Sequence, residues 1–183
     1  MDIADTIQAK VGRVLAPAAT ASQPYLAIYM NDQLALGVLW REIARRSARE
    51  NAGTDAGAAL ERVATAIAED VETFEQIMAR VEIPKTHAKP LLAMAGERVG
   101  RLKLNGRLTG YSPLSRFEEL DFLLMGIDGK VVLWTNLRDH ARLGDRLPDV
   151  DFDGLIQRAR QQRALLEPFH AEAGREALGG GAA

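Results

Sequence analysis

The sequence predicts an all-α fold, an up-down bundle of four long helices with a short helix at its N-terminus and another between the second and third long helices. Alanine, leucine, glutamate and arginine are abundant and aromatic residues make up only 5%, which is typical of helical proteins. Apolar residues recur at the helical spacing through four long stretches. Cap-forming and turn-forming residues separate those stretches, so we expect each to be one helix.

Length and composition narrow the class of protein. The 183 residues fit one domain, residues 1–183, that buries its core without metals or disulfides. The absence of cysteine excludes disulfides and thiolate zinc sites and agrees with a reducing cytoplasm, where we place the protein. Asp2 and Asp5 interrupt the N-terminal stretch, which is therefore no secretory signal. A net charge of -2 argues against a nucleic-acid partner, and no apolar run is long enough to span a membrane.

The two ends of the chain are expected to lie outside the main bundle. Apolar residues at helical spacing in residues 2–15 predict a short amphipathic helix, and the small residues and proline of 16–23 predict a linker. The helix is expected to cap the bundle. Residues 179–183 predict a helix stop and a disordered tail.

The first long helix, residues 24–50, carries an acid on its more apolar side. At about 100° per residue, Tyr25, Ile28 and Leu36 share a sector with Asp32, so Asp32 is predicted to face the core. The opposite side carries further apolar residues: Leu26, Met30, Leu34 and Val38. That second apolar face predicts contact with a protein partner or with a second copy of the chain.

The second long helix, residues 56–81, also carries an acid on its apolar face. Thr54 or Asp55 is placed to cap it. Asp70 lies among the apolar residues of its stripe, whereas neighbouring glutamates project elsewhere. Because a short turn makes the first two helices antiparallel neighbours, Asp32 and Asp70 are expected at similar height in the bundle.

The connection that follows is basic. Residues 83–90 break the helical pattern and a short helix is predicted over 89–104. Between residues 85 and 107 there are six Lys or Arg and one acid. Such a surface is usually a solvated face, and the alternative is an anion site for phosphate, nucleic acid or an acidic partner. Its candidate residues are Lys103, Asn105, Gly106 and Arg107.

The third and fourth long helices, residues 113–141 and 152–178, supply further polar groups. Ser112 is the expected N-cap of the third helix, with Pro113 at its first position, and Asp149 or Asp151 is the expected cap of the fourth. The third helix places Glu119 and Lys130 on one edge of its stripe, and the fourth places Gln162 in its buried sector. Gly126 and Gly129 on the third helix predict the close approach of another backbone.

These polar groups predict a network inside the bundle. Burying an unpaired charge is costly enough that the group either finds a partner or changes its protonation. A mixed set of acids, one lysine and one amide could therefore fix the register of the helices, and a pocket for a small ligand is a further reading. The set is Asp32, Asp70, Glu119, Lys130 and Gln162.

The alternative is a metal centre, because four long helices with a long second connection resemble the layout of ferritin-like bundles. Their di-metal sites take one carboxylate from each of two helices and a Glu-x-x-His motif from each of the other two. The resemblance implies iron or manganese at Asp32, Asp70, Glu119, Glu167 and His170. Thr73 stands where the second helix would need a histidine, and Lys130 competes for the same carboxylates.

Four stretches resemble an uncharacterised family of actinobacterial helical-bundle proteins. They are YMNDQLA (29–35), GRLKLNGRL (100–108), YSPLSRFEEL (111–120) and GIDGKVVLW (126–134). The resemblance covers most of residues 24–178 and implies a bundle of ferritin-like shape, without implying a reaction. Because no catalytic motif of high specificity is present, we expect binding or assembly without a cofactor, and catalysis is left open.

Overall fold

Helices form all the regular secondary structure of the computed structural model, which describes residues 23–86 and 111–179. The prediction of an all-α fold is confirmed for this part of the chain, and no helix within it has the length and apolar character that crossing a membrane requires. The predicted N-terminal helix and the predicted helix at 89–104 lie outside the described residues. The helices are α1 (Gln23–Glu50), α2 (Asp55–Arg80), α3 (Pro113–Thr135), α4 (Leu143–Arg146) and α5 (Phe152–Leu178), with a π-helical turn (Asn136–His140) after α3.

Side-chain caps begin three of the long helices where the sequence predicts them. The side chains of Thr54, Ser112 and Asp151 each accept a hydrogen bond from the backbone N–H three residues further on, at 3.0, 3.0 and 2.8 Å. Each cap satisfies one of the N–H groups that the first helical turn leaves without a partner. Gly53, with φ of 80°, makes the turn between α1 and α2, a conformation that favours glycine.

The long helices pack as two helical hairpins. Helix α1 packs along α2, α3 packs along α5, and the hairpins meet where α1 contacts α3 and where α2 contacts α5. One apolar cluster, which includes Leu60, Leu120 and Leu166, fills one part of the interface. A second cluster includes Met30 and Trp134. All four long helices therefore bury apolar side chains between the hairpins.

The first half of α1 is rotated relative to the sequence prediction. Asp32 is exposed, and Tyr25 and Ile28 in the same sector are 76% and 58% exposed. Met30 and Leu34, on the face predicted to meet a partner, are buried in the bundle. The prediction that Asp32 faces the core is therefore wrong. The second apolar face, which was predicted to meet a partner, packs against the other helices of the same chain.

The acid explains the rotation. The two faces of α1 carry similar numbers of large apolar residues, so burial of hydrophobic area favours neither strongly. Burying the Asp32 carboxylate would cost several kcal/mol unless it were paired, which decides the orientation. Further along the helix the buried stripe continues through small side chains, including Ala44 and Ala48, whose weak hydrophobicity made this face less conspicuous in the sequence.

Candidate functional site

A cleft opens between the two hairpins, lined by α1, α2 and α3. Its volume is about 430 Å³ and it is partly open to solvent, within the usual size range of pockets for small molecules. Most of the lining is apolar, and both tryptophans of the chain belong to it, Trp40 on α1 and Trp134 on α3. Phe74 and Leu123 are also part of the wall.

Two glycines shape the wall that α3 contributes. A Cβ atom at Gly126 would lie 2.7 Å from Cδ2 of Trp40, so the indole ring packs directly on the backbone of α3. A Cβ atom at Gly129 would meet nothing within 4 Å. A close approach was predicted at both glycines and occurs only at Gly126. The approaching group is the side chain of Trp40, and not the backbone of another helix. Gly129 leaves open space at the edge of the cleft.

The charged part of the cleft lining is a buried ion pair between Asp70 and Lys130, and we call this part the base of the cleft. Lys130 Nζ donates hydrogen bonds to Asp70 Oδ2 and to Gln162 Oε1. Gln162 Nε2 donates to Asp70 Oδ2 at 3.1 Å, and Arg158 donates to the other oxygen, Asp70 Oδ1. The Asp70 side chain is 4% exposed and that of Lys130 is 12% exposed. Helices α2, α3 and α5 thus meet at this network.

Lys130 is poorly hydrated at this position. Burial lowers the pKa of its ammonium group, and the charge of Asp70 acts in the opposite direction. Removal from water disfavours a charged amine, and a nearby carboxylate favours it. The ion pair with Asp70 is therefore what supports the charged form of Lys130 at the base of the cleft.

The rim beside the π-helical turn is polar. Asn136 Nδ2 donates a hydrogen bond to the hydroxyl of Tyr29 at 3.2 Å, which connects the turn after α3 to α1. Both residues, together with Gln33, line the cleft. A turn of π-helix inserts extra backbone into a helix and is frequent at functional sites. Here it places the amide side chain of Asn136 in the lining of an apolar cleft.

The structure gathers three of the five residues predicted to form the polar network. Asp70, Lys130 and Gln162 lie in hydrogen-bond contact. Asp32 is exposed, and Glu119 lies elsewhere, since eleven residues of helix separate it from Lys130 by roughly 16 Å along α3. The predicted pairing of Glu119 with Lys130 is replaced by two separate clusters.

Glu119 belongs to a second buried cluster between α1 and α3. Its side chain is 1% exposed, with Oε1 3.2 Å from Nη2 of Arg46. The hydroxyl of Tyr111 donates to Glu119 Oε2 at 3.0 Å, and Asn51 Nδ2 donates to that hydroxyl at 3.1 Å. Burial raises the pKa of Glu119, and the charge of Arg46 acts against that rise. Burial and the neighbouring Glu119 raise the pKa of Tyr111 to about 12.

The residues of the di-metal alternative are spread over the molecule. Glu167 is exposed and lies 3.7 Å from Arg163. The ring of His170 lies 3.1 Å from an oxygen of Asp121 and stacks on Phe117. Within residues 23–86 and 111–179, no three His, Asp or Glu side chains are grouped closely enough to hold a metal ion.

The anion patch predicted at Lys103, Asn105, Gly106 and Arg107 lies outside the described residues. In the described part of the chain, two arginines that sequence reasoning missed complete the buried clusters. Arg46 is buried against Glu119, although it stands in a polar and basic stretch at the end of the first helix. Arg158 precedes Gln162 by four residues, so both lie on one face of α5, and that spacing could have revealed it.

Comparison of the chain with protein-family models, with curated proteins and with solved structures found no match.

Proposed function

We propose that the protein binds a small, mainly apolar molecule in the cleft between α1 and α3, and that it acts by binding rather than by catalysis. The observation that carries this proposal is an apolar cleft of about 430 Å³ with a hydrogen-bonded ion pair at its base. Ligand pockets commonly combine apolar walls with a few placed polar groups. The cleft has both features.

The apolar walls supply the driving force for binding. Removing apolar surface from water contributes about 25 cal/mol per Å², and aromatic side chains such as Trp40 and Trp134 offer large flat surfaces for contact. At about 30 Å³ for each water-sized group, the cleft of about 430 Å³ holds roughly 14 non-hydrogen atoms. That size suits a short chain or a two-ring compound.

The paired state of the polar groups favours binding over catalysis. Both carboxylate oxygens of Asp70 accept hydrogen bonds, and Lys130 donates to two acceptors. Groups held in this way stabilise the positions of three helices, and a general base or nucleophile would need a free lone pair directed at the substrate. Iron or manganese is not part of the proposal, because the predicted ligands do not lie together.

The ferritin-like layout and the cytoplasmic location belong to the same proposal. Two antiparallel hairpins joined by a long second connection support that layout. The absence of cysteine supports a reducing compartment. In this proposal the bundle serves as a binding scaffold, with the cleft formed where its hairpins meet.

Titration with 1-aminonaphthalene, a neutral fluorescent probe with two rings that fits the estimated space, tests the proposed function. Both tryptophans line the cleft, so binding there should quench their emission and enhance that of the probe, with saturation. The Gly129→Leu variant fills the open space beside α3 and is expected to weaken binding at least tenfold. The matched control Gly129→Ala should bind like the wild type. An absence of saturable binding, or equal binding by the leucine variant, would contradict the proposal.

A further inference from the structure

We infer that the ligand of the cleft is an amphipathic carboxylate, whose negatively charged head binds Lys130 at the base while its apolar body lies against the tryptophans. This inference rests on the proposed function and adds the chemical class of the ligand. The geometry and charge of the groups at the base of the cleft carry it.

One hydrogen-bond donor of the cleft lining, on Lys130, has no acceptor among the described residues. An ammonium group has three N–H donors, and Lys130 uses two of them, for Asp70 and Gln162. Polar groups in buried surroundings are nearly always hydrogen-bonded, so the donor left without an acceptor on Lys130 favours a ligand that brings an acceptor atom.

The carboxylate of Asp70 is close to fully used, with three hydrogen bonds at about four lone-pair sites. Asp70 accepts hydrogen bonds from Lys130, Arg158 and Gln162, so two cations lie against one buried carboxylate. Glu69 lies 3.9 Å from Arg158, but its side chain is exposed and its charge is screened by water. Among the described residues that line the cleft, Lys130 carries the positive charge, and the buried cluster does not fully balance it.

The sign of the ligand's charge follows from this arrangement. A cationic head would meet the ammonium of Lys130 and would be a third cation beside one carboxylate, that of Asp70. A neutral head would gain the contacts of the apolar walls and little more. A carboxylate would accept from Lys130 and restore part of the hydration that the ammonium lost on burial, in a charge-assisted hydrogen bond.

Three amphiphiles of equal chain length test the inference: decanoate, decanol and decylammonium. Each has about 12 non-hydrogen atoms and fits the space estimated above for roughly 14. Affinities measured at neutral pH by calorimetry and by tryptophan quenching should rank decanoate first. We expect it to bind roughly tenfold tighter than decanol, the lower range for a charge-assisted hydrogen bond. Decylammonium should bind most weakly.

A matched pair of lysine variants connects that preference to one residue. Lys130→Gln removes the charge at the base of the cleft, and Lys85→Gln makes the same change at an exposed ion pair with Glu75. The ratio of decanoate to decanol affinity should fall to about one in Lys130→Gln, because the charge-assisted bond is lost, and stay unchanged in Lys85→Gln. If Lys130→Gln does not fold, the ranking in the wild type decides alone.

The outcomes separate the two proposals. Binding of none of the three compounds, together with failure of the neutral probe, would overturn the proposed function. Saturable binding of all three with equal affinity, or tighter binding of decylammonium, would overturn the inference of a carboxylate and leave the binding cleft standing. Loss of the decanoate preference in Lys85→Gln as well would also overturn the role given to Lys130.

Discussion

The ammonium group of Lys130 on α3 donates a hydrogen bond to the carboxylate of Asp70 on α2, at the base of the cleft. Gln162 and Arg158 reach the same carboxylate from α5. One buried acid thus connects both hairpins of the bundle. The pair is both a structural contact and the floor of the candidate binding site.

Removing Lys130 should destabilise the protein. Lys130→Met leaves the buried Asp70 without one of its two cations, and breaking a buried pair in this way costs about 3 to 5 kcal/mol. We expect the lower end, about 3 kcal/mol, because Arg158 still contacts the carboxylate. Urea denaturation measures the change in the free energy of unfolding. Lys85→Met is the control, with an expected loss under about 1 kcal/mol at an exposed pair, and equal losses in the two variants would contradict the buried pairing.

Two alanine substitutions one helical turn apart should change the free energy of unfolding in opposite directions. Gly126→Ala forces Trp40 away from α3 and is expected to destabilise by about 1 to 3 kcal/mol, as overpacking does. Gly129→Ala meets no neighbour and should stabilise by about 0.5 to 1 kcal/mol, because alanine favours the helix. Thermal and urea unfolding of both variants test the pair. Stabilisation by Gly126→Ala would show that the indole does not pack on this backbone.

Glu119 should make stability depend on pH in mildly acidic solution. Burial raises its pKa in the folded protein above the ordinary value of 4.5. Just above pH 4.5 the folded state therefore keeps a proton that the unfolded chain releases, and stability falls as pH rises through the folded-state pKa. Compared with Glu119→Gln, the wild type should lose unfolding free energy across that window. A gain with rising pH would mean that pairing with Arg46 outweighs burial.

Tyr111 should make the stability of the protein depend on pH in alkaline solution as well. Its pKa is raised from 10.0 to about 12, so the folded protein retains the phenol proton over a range in which the unfolded chain loses it. Stability should fall by about 1 to 2 kcal/mol between these values, allowing for partial exposure of the ring. Tyr111→Phe should lack this component. Urea unfolding at several alkaline pH values measures it, and the same slope in both proteins would argue against burial of the hydroxyl.

The helices of the described region could be predicted closely from sequence. Periodicity gave the four long helices, and Thr54, Ser112 and Asp151 cap three of them as their residue types suggest. Local hydrogen bonding decides such features, so local sequence carries the information. The orientation of α1 could not be read in the same way, because it depends on which of two apolar faces meets the other helices. The free-energy cost of burying the Asp32 carboxylate decided which face of α1 is buried.

The candidate site was predictable only in part. Asp70, Lys130 and Gln162 were identified because polar residues within apolar stripes are unusual and need partners. Arg46, the partner of Glu119, was not identified, because it lies in a run of arginines near the end of α1. Only the packing of α3 against α1 shows that Arg46 is buried. The position of the cleft could not be read from the sequence, because residues of three helices line it and only their packing brings them together.

The most direct test of the cleft as a ligand site is a crystal structure of the protein grown with saturating decanoate. We expect continuous density for the alkyl chain of decanoate between Trp40 and Trp134, with its carboxylate within hydrogen-bond distance of Lys130 Nζ. Decanoate bound only at the outer surface, with the cleft free of it, would show that the cleft is not its binding site.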